Sequence, residues 1–135
     1  MEKVTTILSR HQFHFKKISP SCSISDALCI MSSQNTDYLI VMDDNNKFIG
    51  LLTEHDVASK TIFMNKPLTK SCVNEMMNTR LPFADVDDTV EDCMKVMKRY
   101  HVRHLPVFKN LVLMGIISTD DIIDEAVSHR NEIFD

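Results

Sequence analysis

The chain of 135 residues, 44% hydrophobic and 25% charged, has the composition of a folded globule and the length to bury roughly two thirds of its extended surface. Its net charge of −4 argues against broad nucleic-acid binding, which rests on basic surface. No apolar run approaches the ~20 residues of a membrane helix, and the first six residues lack the apolar core of an export signal, so a cytoplasmic protein is expected.

In chain order, Val4, Ile7 and Leu8 form a short helical stripe, and an extended piece runs from Phe15 to Ile18. Ile24, Ala27, Leu28 and Met31 follow i, i+3, i+4, i+7 spacing, one face of a helix. Tyr38 to Met42 and Lys47 to Leu52 have strand length and β-branched content on either side of a polar turn, which predicts a hairpin. After Thr53 the pattern turns helical. A second short stripe, Val73, Met76 and Met77, and an extended piece from Leu81 to Ala84 come next.

Val90, Cys93, Met94 and Met97 then repeat the helical spacing, with Asp88 or Thr89 as cap and Glu91 three residues after Asp88. Leu105 to Phe108 and Leu111 to Ile117 predict a second hairpin. Pro106 cannot donate to a ladder, so its strand is expected at a sheet edge or to begin there. Beyond Ser118, the residues Ile122, Ile123, Ala126 and Val127 line one side of a last helix. Five of the nine methionines, Met31, Met76, Met77, Met94 and Met97, fall in these stripes and read as core filling rather than as a groove for partner helices.

These elements come in duplicate. The only two glycines, Gly50 and Gly115, stand in matching frames: Gly50-Leu51-Leu52-Thr53-Glu54-His55-Asp56-Val57 and Gly115-Ile116-Ile117-Ser118-Thr119-Asp120-Asp121-Ile122. Upstream, the pairs 24 and 90 and 38 and 104 lie 66 apart, while the glycines lie 65 apart. One residue is therefore missing between, where Asp43-Asp44-Asn45-Asn46 faces the shorter Lys109-Asn110, a turn that tolerates such changes. Each copy reads strand, helix, strand, strand, helix, an α+β unit too small to cover a sheet face alone, so two copies packed sheet to sheet are expected. The boundaries are drawn at 11–62 for the first repeat and 77–128 for the second, with 1–10 and 63–76 as short helical connecting segments.

The chain resembles a tandem pair of CBS domains, a Bateman module. The residues that carry the resemblance are the two G-[LI]-[LI]-[TS]-x-x-D-[VI] segments, Arg103-His104-Leu105-Pro106-Val107, Asn74-Glu75-Met76-Met77, and the helix openings at Ile24 and Val90. The resemblance implies βαββα repeats about a pseudo-two-fold axis, with clefts between the paired sheets. It also implies a regulatory role without catalysis and frequent pairing into a homodimer. In this family such clefts often bind AMP, ADP, ATP, S-adenosylmethionine or a dinucleotide such as NAD.

By the same resemblance Asp121 and Asp56 are the ribose ligands, since one carboxylate can accept from both vicinal hydroxyls. Thr53, Ser118 and Thr119 stand at helix starts, where hydroxyls and backbone N–H groups favour phosphate. Arg103 and His104 occupy positions that often face phosphate, and Lys16 and Lys17 can add charge, although Lys16 departs from the apolar or small residue usual there. Tyr38, Leu39, Phe83, Ala84 and Leu105 are expected as walls of the base pocket. Because Asp37 and Tyr38 stand where the other site has Arg103 and His104, the Asp121 site is expected to be the better anion site. Read from the residues alone, Thr53-x-x-Asp56 and Ser118-x-x-Asp121 are equally capping boxes with Asp in place of Glu.

Rival chemistries find less support. His11-x-x-His14 and His101-x-x-His104 have ligand-like spacing, but no acidic or Cys partner recurs beside them, so no metal site is expected. Cys22 lacks an orienting acid and an oxyanion turn, so no enzyme is expected. The four cysteines (Cys22, Cys29, Cys72, Cys93) show no C-x-x-C pair and are expected reduced. The alternative function is a ligand-free dimerisation or docking module for an unknown effector protein.

Overall fold

The computed structural model describes residues 2–10 and 16–134. Ser23 opens α2 (Ile24–Ser33) by accepting the Asp26 N–H, and Ile24, Ala27 and Met31 are buried along its inner face. Thr89 opens α5 (Val90–Tyr100) through a reciprocal box with Asp92. The Asp88–Glu91 box does not form, because the Asp88 carboxylate turns back to accept the Asp85 N–H at 2.9 Å. Both expected hairpins are present. β1 (Lys17–Ile18), β2 (Tyr38–Met42) and β3 (Phe48–Thr53) form one sheet in that order, and β4 (Ala84–Asp85), β5 (His104–Lys109) and β6 (Val112–Ser118) form the other. In each, the first strand is parallel to the second and the second antiparallel to the third. The helices α3 (Glu54–Phe63) and α6 (Thr119–Phe134) complete two βαββα repeats of α+β class.

The register repeats down to its irregularity, a shift between Val41 and Met42 in one sheet and between Val107 and Phe108 in the other. Pro106 overturns one expectation. It sits inside β5, the central strand, opposite Ile116. The first copy explains how: there the Ile40 N–H donates to the Lys16 carbonyl at 2.8 Å. Pro106 stands at the position of Ile40 and has no N–H to offer. Parallel pairing in the second sheet accordingly starts one residue later, at Ala84 and Val107, and continues with Val86 N–H donating to Phe108 O at 3.0 Å. The proline is tolerated where the neighbouring strand is short.

The chain divides into two compact units, and their make-up is crosswise. The first repeat is joined by α4 (Val73–Met76), whose Val73 and Met76 are fully buried with Ile24, Leu39 and Leu52. The second repeat is joined by α1 (Val4–Arg10), whose Val4 and Ile7 are fully buried with Leu105, Val107 and Ile117. Backbone bonds seal this attachment, from Val4 N–H to Asp88 O at 3.0 Å and from Val90 N–H to Glu2 O at 2.9 Å. Each short stripe thus packs on the copy it does not precede.

The first-repeat unit closes tightly around Gly50. Leu51 and Asn78 exchange both backbone hydrogen bonds, at 3.1 and 2.8 Å. A Cβ on Gly50 would lie 2.6 Å from the Asn78 carbonyl oxygen, inside any real contact. Lys60, in the last turn of α3, donates to the carbonyls of Met76 and Met77 at 2.9 and 3.3 Å, satisfying the end of α4. Two core assignments need correcting in the second-repeat unit. Met94 is half exposed, and on α6 it is Ile122 and Glu125 that are buried while Ile123, Ala126 and Val127 face outward.

Candidate functional site

The two glycine-led segments end in the same local structure. In the first repeat Thr53 Oγ1 accepts the Asp56 N–H at 3.0 Å, and Asp56 Oδ2 accepts from Thr53 N–H at 3.2 Å and from the Thr53 hydroxyl at 2.9 Å. In the second, Ser118 Oγ accepts the Asp121 N–H at 3.1 Å and Asp121 Oδ2 accepts the Ser118 N–H at 2.9 Å. Both aspartates therefore form capping boxes. Each box uses one carboxylate oxygen, and among the described residues Oδ1 of Asp56 and Asp121 accepts no hydrogen bond. The helix start orients the carboxylate while leaving one oxygen for a further donor.

The copies differ in what surrounds that oxygen. The Thr53 hydroxyl spends its hydrogen on its own aspartate. Among the described residues the Ser118 hydroxyl donates to nothing, so its hydrogen can turn to an incoming group. The residue ahead of each central strand is tied to the helix start by one backbone bond: Glu54 N–H donates to Asp37 O, and Thr119 N–H to Arg103 O, both at 3.0 Å. That bond sets Asp37 beside the start of α3 and Arg103 beside the start of α6. The first start thus gathers three carboxylates, Asp37, Glu54 and Asp56. The second gathers Asp120, Asp121 and one exposed guanidinium, Arg103. An anion meets repulsion at the first and a fork-shaped donor at the second.

The remaining expected residues divide sharply. His104 is buried at the start of β5. Lys16 donates to the Gln34 carbonyl at the end of α2 at 2.9 Å, and Lys17 to Asn46 Oδ1 at 3.2 Å, so both ammonium groups serve the fold of their own repeat. Leu39, Ala84 and Leu105 are packed into the cores of their units. Tyr38 is half-buried, and Phe83 is largely exposed with its ring edge-on to Phe108 at 5.9 Å. His11 and His14 lie outside the described residues, and among those described no cluster of His, Cys, Asp or Glu could hold a metal ion. No helix there is long and apolar enough to cross a membrane.

Sequence reasoning passed over one surface feature. Met94, Met97, Lys98, Val102, Ile122 and Ile123 line a groove of about 300 Å³ between α5 and α6. Its signal was present in the apolar stripe of α6, which is broader than one buried face requires.

Residues 5–61 and 73–128 each match the family model described as CBS domain. The protein MJ1404 of Methanocaldococcus jannaschii is 33% identical over 90% of the chain, which spans 31% of that protein's length. A crystal structure described as the CBS domain of NE2398 superimposes with a TM-score of 0.86 at 31% identity, covering 94% of this chain and 99% of that one. The CBS domain pair of MJ0100, solved in complex with 5′-methylthioadenosine and S-adenosyl-L-methionine, superimposes with a TM-score of 0.73 at 25% identity, covering 90% of this chain and 97% of that one.

Proposed function

Because the chain belongs to the CBS domain family as a tandem pair of repeats, which are regulatory modules, we propose that it senses an adenosine-containing small molecule in the cytoplasm. The observation that carries this reading is the Ser118–Asp121 pair, a carboxylate held by its own helix start with one oxygen and one hydroxyl hydrogen uncommitted. Asp121 Oδ1 accepts from the ribose hydroxyls, and Ser118, Thr119 and Arg103 receive phosphate. The exposed ring of Phe83 is a candidate for contact with a base. Asp56 and Thr53 form a second, weaker position, since carboxylates crowd the start of α3. The adenosine ligands of MJ0100 support the choice of ligand class. Arg103 biases it further towards ligands that carry phosphate. Whatever ligand binds can shift this protein only by the difference in its affinity for two states. The apolar outer face of α6 is where such a shift would reach a partner.

A thermal-shift panel of AMP, ADP, ATP, S-adenosylmethionine and NAD tests the reading. A ligand at ~100 times its Kd adds ~2.7 kcal/mol, a shift of several degrees in a domain of this size. A flat panel would refute it and leave the second reading, a module that acts by self-association or docking. The exposed apolar side chains Met94, Ile123 and Val127 beside the α5–α6 groove favour that alternative, with a second copy of the chain as occupant. Sedimentation that found only monomer, together with a flat panel, would dismiss both.

A further inference from the structure

Two of the four cysteines meet in the unit of the first repeat. Ser23 and Cys72 form an antiparallel bridge flanked by hydrogen bonds from Ile24 N–H to Ser71 O at 3.0 Å and from Val73 N–H to Cys22 O at 2.9 Å. Such flanking makes Ser23 and Cys72 a close pair, with Cα atoms about 4.5 Å apart. Cys22 lies one residue along, which sets its Cα about 6 Å from that of Cys72, within the roughly 4.4–6.8 Å a disulfide spans. In a regular ladder neighbouring side chains would turn to opposite faces. Cys22, however, sits in a bend, where its N–H donates to Ser19 O at 3.1 Å, and both thiols are half-buried.

We propose that Cys22 and Cys72 are a redox pair whose disulfide staples the segment leading into α4 onto the turn before α2. The electrostatics agree with the geometry. Burial raises the Cys22 thiol pKa, Asp26 adds to the rise, and the charge of Cys72 raises it further, so the two sulfurs share one neighbourhood. Cys72, at the opening of α4, takes the attacking role and Cys22 the resolving one. The Cys72 thiolate attacks the O–O bond of a hydroperoxide, forms a sulfenic acid and releases an alcohol or water. The Cys22 thiolate displaces hydroxide from that sulfur, and a proton completes the second water. Two thiols lose two protons and two electrons, one peroxide is reduced, and the two protons complete the alcohol or first water and the second water.

The staple closes a loop that holds α2, β2, β3 and α3 of the first repeat, and both its ends lie in that unit. Cys29 is exposed on α2, and Cys93 is buried in the core of the other unit. The test treats the full chain with hydrogen peroxide at equimolar amounts, blocks remaining thiols and maps the non-reduced peptides by mass spectrometry. The expected product is a Cys22–Cys72 peptide, two hydrogens lighter than the sum of its parts and split by dithiothreitol. The melting temperature should rise on oxidation and return on reduction, and neither change should occur in Cys72→Ser. A product linked through Cys29 between chains, or Cys22 and Cys72 carried separately to sulfinic acid without a linked peptide, would overturn the proposal.

Discussion

The two repeats share a register over some forty residues yet present opposite chemistry at the start of their last helices. The first closes on itself: the Thr53 hydroxyl donates to Asp56, Asp37 and Glu54 crowd the same end, and Gly50 is pressed against Asn78. The second leaves Ser118 a hydrogen to give and sets Arg103 alongside. Geometry common to both copies is what the fold requires, because both must build the same sheet and helix. Chemistry confined to one copy is where function is to be sought. The duplication is thus a control built into the molecule.

The comparison can be tested first at its common part. Leu39 and Leu105 are equivalent and both fully buried, so Leu39→Ala and Leu105→Ala should each cost ~2–5 kcal/mol in urea unfolding. A large disparity between them would mean that the cores are not equivalent. Next comes a feature of the first copy. Gly50→Ala drives a Cβ into the Asn78 carbonyl and should cost ~1–3 kcal/mol. An unchanged midpoint would show that the segment at Asn78 moves aside freely.

A smaller effect separates the second copy by pH. Burial, with Asp88 and Asp92 as lesser causes, pushes the Cys93 thiol up to about 11 from 9.0. The folded chain therefore keeps a proton that the unfolded chain has released. That contribution to stability is complete below pH 9.0 and lost as pH rises through about 11. Cys93→Ala copies Ala27 of the first repeat and should flatten the alkaline decline in melting temperature. Some decline should remain, since the Cys22 pKa is raised as well. The smallest effect is expected of Pro106→Ile, which returns the N–H that Ile40 supplies in the first sheet. It should stabilise by ~1 kcal/mol at most, and a new slowly exchanging amide at position 106 is the sharper readout.

Much of this architecture was legible in the chain. Runs of strand length and β-branched content around polar turns gave away the hairpins, and the matched glycines fixed which copy aligns with which. The exchange of α1 and α4 was not legible, because Val4 and Val73 look alike as stripes and only distant packing decides which repeat each joins. Pro106 misled for a physical reason: an edge position was inferred from a missing donor, whereas the two-residue β4 needs no donor there. The site was readable as a motif and ambiguous as chemistry. A hydroxyl and a carboxylate three residues apart spell a cap and a ligand grip alike, and the capping boxes are formed. Lys16, Lys17, Leu39, Ala84 and Leu105 were placed by resemblance, and burial and hydrogen bonding tie them to their own repeats.

The most direct test of a ligand grip at the start of α6 is calorimetric titration of whichever nucleotide stabilises the chain, into the wild type, Asp121→Ala and Asp56→Ala, with folding checked by circular dichroism. Loss of more than tenfold in affinity for Asp121→Ala, with a smaller loss for Asp56→Ala, is the predicted result. Undiminished binding by folded Asp121→Ala, or greater damage from Asp56→Ala, would contradict it.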